Sequence, residues 1–219
     1  MIDLLLVGTS APDLRGLTQT LGERMDGEVR GLRISAKAVG SGAAAAAAAT
    51  AKRVFLLQPR AVVMIGTCGV YPGLQEYAPL DIVVPNRLEI IDHGADAGLS
   101  EFPMAMSTQL PPTPALVAGL AGQRGKVLAV ACPSSVTVSD EHAAAVPARH
   151  RCQAEHVEAF GVASACSLAR IPFGAVLSVT HVVGSHAKPD FTKHHRDATL
   201  AAAECFLSWL HGGAAGLPH

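Results

Sequence analysis

Two apolar runs on either side of a glycine-rich break constrain this chain more than anything else in it. Ala61 to Ile65 is uninterrupted apolar and largely β-branched, Gly66-Thr67-Cys68-Gly69 follows, and Asp81-Ile82-Val83-Val84 resumes the apolar pattern. Such a run reads as a strand buried on both faces, which requires a sheet covered by helices on both sides. Gly66 and Gly69 are expected to bend the backbone sharply, leaving amides and the Thr67 hydroxyl open at a strand end. In an open α/β sheet small ligands bind there, because several strand ends converge and their loops are free to carry chemistry. Thr67 and Gly69 are therefore candidate ligand contacts.

The rest of the chain supplies the covering layers. Ile2 to Val7 reads as a buried strand, and Ser10-Ala11-Pro12-Asp13 opens a helix, with Ser10 as cap, Pro12 in the first turn and Asp13 completing a capping box. Leu32 to Val39 is the next strand. Gly40-Ser41-Gly42 leads into an Ala-rich helix, Ala43 to Leu57, terminated before Pro59. Asp81 to Val84 and Leu88 to Ile91 are extended, and Ala95 to Pro114 is a long irregular excursion. Val127 to Ala131 is a strand, Ser134 to Val138 an extended edge near the site, and Glu141 to Val146 a short helix. Glu155 to Arg170 is a helix broken by Pro172, Ala175 to Thr180 the last core strand, and Asp197 to Leu210 an amphipathic closing helix. Strands alternating with helices in this way predict one domain over residues 1–219, an α/β three-layer helix-sheet-helix with a mixed central sheet.

Charge and cysteine usage narrow the function classes. A formal net charge of -1 with scattered Lys and Arg gives no footprint for a nucleic-acid backbone. No Lys or Arg precedes the short N-terminal apolar run and no long apolar segment follows, so neither a signal peptide nor a membrane span is expected. Five cysteines without Cys-x-x-Cys spacing fit reduced thiols, and the expected location is the cytoplasm. The apolar side chains of the excursion, Phe102, Pro103, Met104 and Met106, call for a partner surface, and a homodimer is expected.

The wording around the break also resembles a family. Gly66-Thr67-Cys68-Gly69-Val70 followed by Leu80-Asp81-Ile82-Val83-Val84 is similar to the Gly-(Ser/Thr)-x-Gly-(Ala/Gly) and Gly-Asp-Val-Val segments of the nucleoside phosphorylase and nucleosidase superfamily. Val39 to Gly42, His93-Gly94-Ala95-Asp96, Glu155-His156-Val157-Glu158-Ala159 and Ser178-Val179-Thr180-His181 extend the resemblance, in order, over nearly the whole chain. The style is closest to methylthioadenosine/adenosylhomocysteine nucleosidase and futalosine hydrolase. The resemblance implies a nucleoside phosphorylase-like fold, a small-molecule nucleoside substrate, cleavage of an N-glycosidic bond, and no cofactor.

It also implies roles for individual residues. Glu158 matches the Glu of a Met-Glu-(Ala/Gly) motif that accepts hydrogen bonds from ribose hydroxyls. His156 and Val157 stand where that motif has Glu and Met, so the surface under the sugar differs in charge and volume. Val136, in the extended run beside the site, joins the substrate contacts. His181 stands where relatives carry Asp or Asn at the purine's imidazole edge. Two readings of it remain, a proton donor to the departing base or a neutral hydrogen-bonding residue. Asp13 aligns with the acid that activates water in the hydrolytic members, and it is also the capping partner of Ser10. Arg15 is either an anion contact or a solvated helix residue.

Met64 occupies the position at which the hexameric phosphorylases carry a phosphate-binding Arg. Without a bidentate guanidinium an oxyanion site is poorer, which favours hydrolysis over phosphorolysis unless Arg15, Arg87 or Lys193 compensates. A relative that binds nucleosides without turning them over is the third reading. His186, His194 and His195 match no zinc spacing, so no metal is expected, and that segment reads as solvated or lid-borne. Gly40-Ser41-Gly42 reads as helix-entry packing.

Overall fold

A computed structural model describes residues 2–73, 76–122 and 124–218. Leu74 and Gln75, inside the link between the two apolar runs, lie outside them. The chain opens with β1 (Leu4–Gly8), a 3-10 helix (Ala11–Leu17) and α1 (Thr18–Leu21). The hairpin β2 (Asp26–Val29) and β3 (Leu32–Ala38) leads to α2 (Ala43–Leu57), β4 (Ala61–Val70) and β5 (Ile82–Ile91). Then come α3 (His93–Asp96), β6 (Gln109–Leu110), α4 (Pro114–Ala121), β7 (Gly125–Pro133) and α5 (Asp140–His150). The chain closes with β8 (Ala154–Glu155), α6 (Ala159–Ala169), β9 (Phe173–Val182) and α7 (Ala187–His211).

The strands form one mixed sheet in the order β2-β3-β1-β4-β8-β7-β5-β6, and β9 pairs with both β4 and β5. Those double pairings curl the far half into a ring of β4, β8, β7, β5 and β9. One face packs against the 3-10 helix, α4 and α7 through Leu14, Leu17, Leu116, Leu120, Phe206 and Trp209. The other packs against α2 and α6 through Val54, Phe160, Val162 and Cys166. Leu4, Leu5 and Leu6 are wholly buried between these layers, each contributing about 1.5–3 kcal/mol. The close crossing of α2 and α6 depends on Gly161, where a Cβ would lie 2.1 Å from the Ala43 carbonyl oxygen. Among the described residues no helix is long and apolar enough to cross a membrane.

Several boundaries differ from the expectation, each for a physical reason. The chain does not turn at Gly66 to Gly69: β4 runs through them to Val70, because the glycines clear space for neighbouring side chains rather than bending the backbone. Asp81–Val84 and Leu88–Ile91 belong to one strand, β5, with a register shift between Pro85 and Arg87. The 134–138 run is a loop, not an edge strand, since no strand pairs with it. The helix expected from Glu155 begins at Ala159, because Glu155 is held in the sheet by β4 and β7. The closing helix starts ten residues earlier than Asp197, at Ala187. Pro189 is tolerated there because the first-turn amides have no intrahelical acceptor to lose. The excursion is partly ordered, with Asp92 capping α3 through the Ala95 amide and β6 returning to pair with β5.

Candidate active site

A cavity of about 500 Å³ opens at the carboxyl ends of β1, β4 and β9, roofed by the first turns of α7. Thr67, Gly69, Val136, His156, Val157, Glu158, His181 and Asp13, distant in sequence, all line it. Val136 is largely exposed at its mouth.

The α6 wall is built by backbone donors. His156 is buried, and its Nδ1 accepts the amide hydrogens of Glu158 and Ala159, both at 3.2 Å. The imidazole thus caps α6 where a hydroxyl or carboxylate would be usual. Burial pushes its pKa below the ordinary histidine value, so the ring is neutral and its one proton sits on Nε2. Its Nδ1 lies 3.6 Å from Glu158 Oε2, but an unprotonated nitrogen makes that approach no ion pair. Glu158 sits at the N-cap of α6, and the Gly42 amide donates to its Oε1 at 2.9 Å. Gly40-Ser41-Gly42 therefore does more than pack a helix entry, since its Gly42 amide fixes one carboxylate oxygen and leaves Oε2 without a hydrogen-bond donor among the described residues.

His181 is aimed by an irregularity in the sheet. Cys68 pairs with Val179 but Gly69 pairs with His181, so Thr180 is an extra residue in β9. Such bulges re-aim side chains beside active sites. The Thr180 hydroxyl donates to the Cys68 carbonyl at 3.2 Å and lies 2.7 Å from His181 Nδ1. With its own hydrogen given to Cys68, Thr180 accepts from Nδ1–H, which leaves Nε2 as the free nitrogen of a neutral ring. Burial lowers the His181 pKa, opposed in part by Asp190. Gly69 makes room for this ring, for a Cβ there would lie 2.6 Å from His181 Nε2.

Asp13 is buried in the 3-10 helix and serves Ser10 as anticipated. Its Oδ2 accepts from the Ser10 amide at 2.7 Å and from the Ser10 hydroxyl at 2.9 Å. Its Oδ1 lies 3.1 Å from His195 Nε2. His195 was expected in a solvated or lid-borne segment, but it belongs to α7 and lines the cavity, and the Phe191 ring packs between it and His181. Glu155 was also not singled out. It is buried and accepts from the Tyr71 hydroxyl and from the amide and hydroxyl of Thr137, which fixes the loop bearing Val136. His93 in turn meets Thr137 Oγ1 at 2.8 Å.

The basic residues weighed as phosphate contacts stand apart from the cavity. Met64 is wholly buried in the core beside α2 and α6. Arg15, Arg87 and Lys193 do not line the cavity, and Arg87 is engaged with Glu89 and the carbonyls of His150 and Arg151. Among the described lining residues Lys188 is the one Lys or Arg. Among the described residues no group of three or more His, Cys, Asp or Glu is placed to hold a metal ion.

A family model described as the phosphorylase superfamily matches residues 13–210. The chain belongs to the phosphorylase superfamily. Solved structures with this superfamily's architecture align over almost the full length. A Helicobacter pylori 5′-methylthioadenosine/S-adenosylhomocysteine nucleosidase mutant, solved with 5′-methylthioadenosine in its active site, has a TM-score of 0.86 at 14% identity, covering 97% of this chain and 99% of that one. A Helicobacter pylori futalosine hydrolase mutant gives 0.85 at 14% identity, covering 97% and 100%. The nucleosidase from Colwellia psychrerythraea, in complex with adenine, gives 0.83 at 21% identity, covering 99% and 97%. No curated protein matches the chain. The mixed α/β sheet with covering helices is thus the fold of these nucleosidases.

Proposed function

We propose that the chain hydrolyses the N-glycosidic bond of a purine nucleoside or related metabolite, of the methylthioadenosine, adenosylhomocysteine or futalosine kind. The observation that carries this reading is the sharing of one cavity by an anchored carboxylate, Glu158, and an imidazole, His181, with no guanidinium among the described residues that line it. Glu158 Oε2 accepts from the ribose hydroxyls, and Val157 and His156 form the surface beneath the sugar. Thr67, Gly69 and Val136 complete the enclosure. As the C1′–N9 bond breaks, its electron pair goes to the base, and His181 Nε2, when protonated, donates to the base's imidazole edge. Because burial lowers the His181 pKa, turnover falls as pH rises through a value on the acid side of the ordinary one. Water, activated at the Asp13 side of the cavity, closes on C1′.

The assay is purine release from a panel of nucleosides, separated by chromatography, with and without inorganic phosphate, for wild type and His181→Ala. Release independent of phosphate is expected, with His181→Ala slower by about 10²–10⁴. Release that requires phosphate would make the chain a phosphorylase, with Lys188 as the cation nearest the reaction. Ligand binding by calorimetry without release over days would make it a binding relative.

The same reading takes residues 1–219 as one catalytic domain working as a cytoplasmic homodimer. Supporting it are five free, buried cysteines and the exposure of Leu99, Met104 and Met106 on the excursion. Light scattering at micromolar concentration is expected to return a dimer, and a monomer would remove that part of the reading.

A further inference from the structure

We infer that the group that takes the proton from the attacking water is His195, with Asp13 as the residue that orients it. This inference rests on the nucleosidase reading above and assigns a role within the same site. Asp13 is the weaker candidate for the base, because three of its roughly four acceptor sites are already taken. Oδ2 holds both the amide and the hydroxyl of Ser10, at 2.7 and 2.9 Å. Oδ1 is 3.1 Å from His195 Nε2, a nitrogen that donates to a carboxylate only when it carries hydrogen. A neutral His195 is thereby held as the Nε2–H tautomer, and Nδ1 keeps a free lone pair. The Asp13 side chain is 7% exposed and that of His195 is 23%, so the dyad is sheltered at its carboxylate and open at its imidazole. The ring is braced from one side by Phe191, 4.7 Å away between centroids, on the preceding turn of α7. This is the arrangement in which a buried Asp fixes the tautomer of a His that then acts as base.

The step balances without any further reactant. The C1′–N9 bond breaks with its pair on the base, a water oxygen bonds to C1′, and one water proton passes to His195 Nδ1. His181 supplies the proton that the base takes up. Both histidines then return to their starting states by exchange with solvent.

Three variants and one spectroscopic measurement test this. His195→Gln keeps a donor for Asp13 but has no base. His195→Ala removes both, and Asp13→Asn removes the acceptor that fixes the tautomer. His195→Gln and His195→Ala are both expected to lose about 10²–10⁴ in kcat with nucleoside affinity little changed. Added imidazole is expected to restore part of the activity of His195→Ala only. Nitrogen-15 NMR of the resting protein, recorded where the imidazole is neutral, is expected to show His195 as the Nε2–H tautomer, and Asp13→Asn is expected to disturb it. A wild-type protein that releases base while His195→Gln matches it would overturn this assignment and leave the nucleosidase reading standing. So would an Nδ1–H tautomer of the neutral His195 ring, which can be read even without substrate. A wild type that releases no base from any nucleoside would overturn both.

Discussion

On the α6 side of the cavity His156 and Glu158, two residues apart, are held by backbone amides, whereas on the α7 side Phe191 and His195 arrive on a helix whose anchor, Asp13, lies 182 residues from His195. The first wall is made mostly by local structure, a helix start and a capping imidazole, with one distant contact, the Gly42 amide from the entry to α2. The second exists only once the sheet has closed and α7 has packed across it. The difference teaches that the two walls suit different work. A carboxylate pinned by an amide is a fixed acceptor, fit for recognising hydroxyl groups, while imidazoles held by one hydrogen bond each can gain and lose protons.

A large effect should come from Gly69→Ala, which displaces His181 through the strand between the walls. The new Cβ would lie 2.6 Å from His181 Nε2 and 2.7 Å from Val183 Cγ2, so the ring must move. Misplacing a group at the reacting centre by about 1 Å can cost about 10²-fold in turnover. The overpacking itself costs about 1–3 kcal/mol of stability, readable by urea denaturation. Turnover equal to wild type in the folded variant would mean that the position of His181 does not matter.

A smaller effect should appear in the pH dependence of stability. His156 is neutral and buried in the native protein, with its pKa lowered, whereas in the unfolded chain it titrates near its ordinary value of about 6.5. Between those two values the unfolded state binds more protons than the native one, so stability is full above about pH 6.5 and declines as pH falls toward the native value. The lowered His181 pKa acts in the same sense. Denaturation curves between about pH 5 and 8 are expected to show this slope, and His156→Gln should make it shallower. An unchanged slope in that variant would mean that His156 is not the buried neutral cap described above.

Legibility in the sequence followed the same division. Glu158, Val157, Thr67 and Gly69 could be picked out because each sits in a short contiguous phrase whose residue types carry the signal, and the layered α/β fold followed from the alternation of apolar runs and helix formers. What failed was whatever local propensity misstates. Gly66 and Gly69 read as a turn, yet they serve as clearance inside a strand whose extended backbone is enforced by β9. Pro189 and the histidines after it read as a loop, although α7 already runs through them. The contacts of His195 and Glu155 were not legible, since their significance lies in Asp13, Tyr71 and Thr137, partners that only the closed sheet brings near.

The claim that the α6 wall holds the sugar can be tested without any chemistry, by calorimetric titration of wild type and Glu158→Gln with adenine and with 5′-methylthioadenosine in parallel, using the slow His181→Ala background to preserve the nucleoside. A carboxylate that accepts from buried hydroxyls contributes about 1.5–3 kcal/mol. The account therefore predicts that Glu158→Gln binds the nucleoside roughly 10–150-fold more weakly while its affinity for adenine is nearly unchanged. Equal weakening for both ligands, or for neither, would contradict it.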